Sequence, residues 1–170
     1  MKNMKRFLAA IAIAAFSAAP QAQTGPGGHV PPPGSKFGAQ PDPAAFKPLP
    51  ERKDVVSWKL LAQVELVKLK DRYAPQYAAA VTALDKKDVK LQGFMMPLQM
   101  GDKQSHFVLT AMPQSCAFCV PGGPEQMVEV KTKRPVAYGF EPIVLSGKLE
   151  VLKDDPNGLF YRLTDAVLAK

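Results

Sequence analysis

The chain has 170 residues, with 22 Lys and Arg against 15 Asp and Glu, a formal net charge of +7, and only two cysteines and two histidines. That length suits one domain with a real core. No dense Lys/Arg run with interleaved aromatics carries the positive charge, so composition excludes a nucleic-acid-binding surface of the usual kind.

Lys2, Lys5 and Arg6 precede an uncharged run from Phe7 to Ala19, and Pro20 to Gln23 form a polar exit. A basic start, an apolar stretch and a small-residue exit are the parts of a secretory signal peptide, predicted over residues 1–22. The apolar run of 13 residues is short of the roughly 20 needed to cross a bilayer. No transmembrane segment is expected after cleavage, and the expected compartment is the periplasm. Loss of three basic residues lowers the net charge from +7 to +4. The mature protein is then only mildly basic.

Residues 23–53 are rich in proline and glycine, as in Pro31-Pro32-Pro33-Gly34 and Pro41-Asp42-Pro43. Such a segment has too few apolar side chains to offset the entropy of folding and favours extended conformations. It reads as a disordered leader, with His29 inside it. The folded domain is predicted over 54–170.

Asp54 is placed to cap a short helix through Leu61. Gln63 to Lys70 alternates and predicts a strand, and Pro75 is placed at the start of a second short helix containing Tyr77, Ala78, Val81 and Leu84. Asp85-Lys86-Lys87-Asp88 is a turn. Strands are then predicted from Val89 to Pro97, Ser105 to Met112, Gln126 to Lys131 and Pro142 to Leu152, with a last one through Leu159, Tyr161 and Leu163. The last follows a turn at Asp154 to Gly158. Gly93 and Gly147 fall inside strands, where glycine marks a bulge or a sharp bend. The fold class is mainly β: a small OB-like barrel of five to six strands with one or two short N-terminal helices.

Chemistry concentrates in Pro113-Gln114-Ser115-Cys116-Ala117-Phe118-Cys119-Val120-Pro121-Gly122-Gly123-Pro124. Two thiols at this spacing can converge on a metal ion or close a small disulfide ring. A four-residue disulfide loop contributes only about 2 kcal/mol by chain entropy. Two thiolates are half of a tetrahedral zinc set and suit copper(I). His106 and Met112 are the candidate further ligands, with Met95, Met96 and Met100 also close in sequence. Thiol–disulfide exchange ranks third, because proline and glycine follow Cys119 where an oxidoreductase would start a helix. The sequence carries no nucleophile elbow, HExxH, P-loop or dinucleotide fingerprint, and Asp154-Asp155 reads as turn residues. The expectation is therefore a non-catalytic exported accessory protein. Its partner would be another exported or envelope protein. It binds a copper or zinc ion through Cys116 and Cys119, or is a disulfide-pinned interaction module.

The stretch Val89-Lys90-Leu91-Gln92-Gly93-Phe94-Met95-Met96-Pro97-Leu98 and the loop Ser115-Cys116-Ala117-Phe118-Cys119 through Gly123-Pro124-Glu125 resemble bacterial domain-of-unknown-function family 3299. Trp58 with Leu61, Gly147-Lys148-Leu149 and Tyr161-Arg162-Leu163 fall in matching order. The resemblance extends over about Ser57 to Ala166 and implies export and an OB-like barrel. Many members have one Cys followed two positions later by His. Here Phe118 stands in that place and Cys119 is additional, so the chain resembles a two-cysteine branch.

Overall fold

A computed structural model describes residues 49–113 and 122–170. The predicted signal peptide, the predicted leader up to residue 48, and Cys116 and Cys119 lie outside the described residues.

The first described element is a one-turn helix, α1 (Trp58–Leu61), capped by Ser57 through its hydroxyl rather than by Asp54. Asp54 is instead held by Arg52 and Lys90, which fixes the approach to the barrel. Arg52, assigned to the leader by composition, also reaches the carbonyl of Lys170.

Strand β1 (Val64–Lys68) pairs antiparallel with β2 (Tyr73–Tyr77) in a separate two-stranded sheet. Pro75 stands opposite Leu66 inside β2, and the second helix, α2 (Ala79–Thr82), begins four residues later than predicted from proline. Both strands of a two-stranded sheet are edge strands, where a missing N–H is tolerated. Tyr77 then anchors β2 by donating its hydroxyl to the carbonyls of Leu152 and Phe160.

The remaining strands are β3 (Asp88–Pro97), β4 (Lys103–Thr110), β5 (Met127–Ala137), β6 (Ile143–Val151) and β7 (Tyr161–Leu168). They close into a barrel in the order β3-β4-β5-β7-β6, with β5 and β7 parallel and the other neighbours antiparallel. The mainly β, OB-like reading holds. β5 runs six residues beyond the predicted end at Lys131. The apolar alternation lapses at Lys131 to Arg134, but past a register shift the strand pairs again with β4 and buries Val136.

Alternate residues of each strand fill the interior: Leu91, Phe107, Leu109, Val128, Val130, Leu145, Leu149, Tyr161 and Leu163 are fully buried. Leu61 of α1 and Val81 of α2 join that core. Tyr161 donates its hydroxyl to the Leu61 carbonyl at 2.5 Å, so a buried phenol ties β7 to the end of α1. Burial pushes the Tyr161 hydroxyl well above its ordinary pKa and keeps it a donor.

β3 serves two partners. Residues 88–93 pair with β6 and residues 94–97 with β4, so the change falls at Gly93. A Cβ there would lie 2.6 Å from the Thr110 carbonyl oxygen and 2.8 Å from Leu109 Cγ. At Gly147 the opposing β7 is bulged, with Asp165 at φ 53° and a register shift on the β6 side between Ser146 and Lys148. A Cβ on Gly147 would meet the Thr164 carbonyl oxygen at 2.7 Å. The two predicted bends are thus close backbone approaches.

Replacing Gly93 or Gly147 by alanine is expected to cost about 1–3 kcal/mol through overpacking against backbone. Gly139→Ala, where no atom lies within 4 Å of the added Cβ, serves as the control and leaves the urea midpoint unchanged.

Candidate functional site

The cysteine loop leaves β4 after Thr110 and returns to β5 at Met127, and its two stems are hydrogen-bonded together. The Ala111 amide donates to the Gln126 carbonyl at 3.1 Å, and the buried Thr110 hydroxyl donates to the Met112 carbonyl at 2.7 Å. On the return side a 3₁₀ turn, Pro124–Gln126, follows Gly122 at φ +88°. Proline at the first position of that turn and glycine before it give the stem a defined path. The described residues on either side of 114–121 are therefore held to the barrel.

Met112 sits on the stem with its side chain more than half exposed. His106 lies four residues before Thr110 on β4, roughly 13 Å further down an extended strand. Its ring nitrogen Nε2 is 2.8 Å from Glu129 Oε1. An ionised carboxylate only accepts, so His106 donates from Nε2 and Nδ1 is the nitrogen free of Glu129. The fold thus puts Met112 at the base of the loop and His106 on the barrel wall. Met95 is in the core, and Met100 is exposed beyond β3. Among the described residues, no group of three or more His, Cys, Asp or Glu could hold a metal ion.

His106 belongs to a charged ladder that crosses the outer wall of the barrel. Glu129, on β5, is 6% exposed and also accepts from Arg162 Nε on β7. Arg162 reaches Asp155 at 3.1 Å and approaches Glu150 at 3.8 Å, and Lys86 pairs with Glu150 at 3.0 Å. Lys131 stands 3.7 Å from Glu129. Strand register produces the alignment, since Glu129 is opposite both Val108 and Arg162, and Arg162 is opposite Glu150. Burial opposes charge on Glu129, but hydrogen bonds from Arg162 and His106 outweigh it and hold the carboxyl below its ordinary range. Its hydrogen bond to Glu129 likewise raises Arg162.

Asp155 keeps its turn role, because its Oδ1 accepts from the amides of Asn157 and Leu159 while its Oδ2 holds Arg162. Glu129 and Arg162 were not singled out by sequence reasoning. The available signal was a Glu between two inward-facing valines on β5 and an Arg between inward-facing Tyr161 and Leu163 on β7. Only the β5–β7 pairing joins them.

A family model described as "Protein of unknown function (DUF3299)" matches residues 49–161. The chain belongs to this family. A crystal structure of a DUF3299 family protein from Pseudomonas aeruginosa PAO1 is similar to this one at 22% identity and a TM-score of 0.45, covering 56% of this chain and 68% of that chain. No curated protein matches the chain. The DUF3299 match extends over α1, all the strands up to the start of β7, and both stems of the cysteine loop.

Removing the central cation of the ladder by Arg162→Met takes from Glu129 and Asp155 their arginine partner and is expected to cost about 3 kcal/mol in urea denaturation. A carboxyl lowered in the folded state adds stability above its unfolded pKa, and that stability is lost as the pH falls through the folded value. Parent stability should therefore decline below about pH 4.5, and Glu129→Gln should make that decline shallower. Denaturation midpoints taken between pH 7 and pH 3 check both.

Proposed function

We propose that this DUF3299 protein is an exported, non-catalytic binding module whose working feature is the Cys116/Cys119 loop, with a soft metal ion, copper or zinc, as its ligand. The observation that carries the reading is the pinned base of the loop. One hydrogen bond joins the two stems, the Thr110 hydroxyl holds the outgoing one, and a 3₁₀ turn shapes the return to the closed barrel. A fixed rim lowers the ordering entropy of bringing two thiolates onto one ion. Met112 on the stem is the described side chain best placed to add a soft donor, and Cys116 and Cys119 are the thiol donors. His106 is the farther candidate, with one nitrogen already engaged by Glu129.

A disulfide-pinned interaction module is the second reading. It is favoured by the apolar surface on the β1–β2 hairpin, where Leu66, Leu69 and Tyr73 are exposed. Thiol–disulfide exchange with another exported protein is the third.

A thiol count and metal analysis on protein purified from the periplasm separate these readings. Two free thiols with stoichiometric metal are expected, and metal should be lost in Cys116→Ser and Cys119→Ser. A quantitative disulfide without metal sinks the metal reading. Reversible oxidation at a potential near that of the periplasmic oxidants favours exchange.

A further inference from the structure

The β1–β2 hairpin does not join the barrel sheet, yet it is held beside it. Tyr77 bonds the carbonyls on either side of the β6–β7 connection, and its ring packs against Phe160 at 6.1 Å and Tyr161 at 5.8 Å. Arg72 at the hairpin turn pairs with Asp154 of that connection. Between hairpin and connection runs an open groove of about 240 Å³, walled by Leu66, Tyr73, Pro75, Pro124, Leu159 and Phe160.

The groove is rigid below and unsatisfied above. Register places Leu66, Tyr73 and Pro75 on the same side of the hairpin as Tyr77. Leu66 is 58% exposed and Tyr73 64% exposed, so apolar surface stays in contact with water despite the anchoring. The volume is below the roughly 300–1,000 Å³ of small-molecule sites, which suits a narrow ridge of peptide better than an enclosed ligand. Aromatic walls, here Tyr73 and Phe160, are the lining that polyproline II segments recognise, because the proline ridge arrives preordered and loses little entropy on docking.

The chain carries such a ridge itself. Pro31-Pro32-Pro33 supplies three consecutive prolines, the number in one polyproline II turn, and residues 34–51 connect it to the domain. Arg52 bonds the Lys170 carbonyl, and the neighbouring Ala169 amide donates to the Val144 carbonyl at the start of β6. The groove lies at the far end of β6, eight residues on, or roughly 26 Å along the strand. Nineteen residues separate Pro33 from Arg52, and in extended polyproline geometry they span roughly 60 Å. The tether reaches with slack, and it raises the local concentration of the ridge to the millimolar range. We propose that Pro31-Pro32-Pro33 of the leader docks in this groove and straps the β1–β2 hairpin to the β6–β7 connection. The strap does not depend on the metal reading of the cysteine loop, and it would cover the Leu66 and Tyr73 surface that favours the interaction-module reading.

The test uses the full exported chain with a photo-crosslinking benzoylphenylalanine in place of Tyr73, and mass spectrometry to map the products. Cross-links within one chain to the stretch 29–36 are expected. Their yield should fall roughly tenfold in P31G/P32G/P33G, since each glycine restores conformational freedom that proline had removed. The substitutions change none of the described core residues, so unchanged circular dichroism is expected. If the probe at Tyr73 disturbs folding, Lys153 on the groove rim takes it instead. Cross-links only between two copies, cross-links only to another protein, no cross-link at all, or a yield unchanged by the glycines would each overturn the proposal.

Discussion

The barrel closes because β3 changes partner at Gly93. Up to that residue its backbone faces β6, and beyond it the strand turns onto β4. The change leaves one edge of the first half unpaired, and buried backbone groups without partners are costly. Two bonds from the segment preceding the sheet fill that edge. The Val56 amide donates to the Lys90 carbonyl, and the Trp58 indole donates to the Gln92 carbonyl. The helix α1 is therefore more than a connector, since the same few residues complete the sheet edge and send Leu61 into the barrel core. Tyr161, bonded to the carbonyl of Leu61, locks that arrangement from the opposite wall.

A second consequence of closure is the division of polar work between the barrel's two sides. The interior is filled mainly by aliphatic and aromatic side chains, with the Tyr161 hydroxyl bonded to the end of α1 and the Gln104 and Thr110 side chains also buried. Ionisable groups line up on the outer wall, where His106, Glu129, Arg162 and Glu150 fall into adjacent registers on four strands. Buried charges are tolerated only when paired, and Glu129 meets that condition through Arg162 and His106. The ladder also links the turn at Asp155 to the barrel wall, so the β6–β7 connection that walls the groove is held firmly from within.

Much of the strand sequence was legible because period-2 alternation survives wherever one face is buried. Leu145 and Leu149, or Phe107 and Leu109, announce themselves in this way. The reading failed where local signals compete. Asp54 looks like a cap, but its partners Arg52 and Lys90 are better satisfied, and Ser57 is correctly spaced to receive the Leu60 amide. Pro75 looks like a helix start, yet an edge strand accepts its missing N–H equally well, and Tyr77 needs an extended backbone to reach Leu152 and Phe160. β5 looked short because Lys131, Lys133 and Arg134 are exposed, while the strand resumes its pairing with β4 at Val136 and Ala137. Of the site, the cysteine loop and Met112 could be named from sequence, and so could His106. The Glu129–Arg162 pair could not, because 33 residues separate them and no local pattern links a lone Glu on one strand to a lone Arg on another.

Composition and order alone determined a small, mainly β domain, the two glycines at its tight approaches and the placement of both cysteines in one loop between two strands. These follow from local chemistry: alternation, the absence of a Cβ, and proline and glycine flanking the thiols. The tertiary structure alone decided that the barrel closes through a parallel β5–β7 pair, that His106 turns to Glu129, and that a hairpin outside the barrel walls a groove. Each depends on which strand lies beside which, and strand pairing is a long-range choice made by burial over the whole chain.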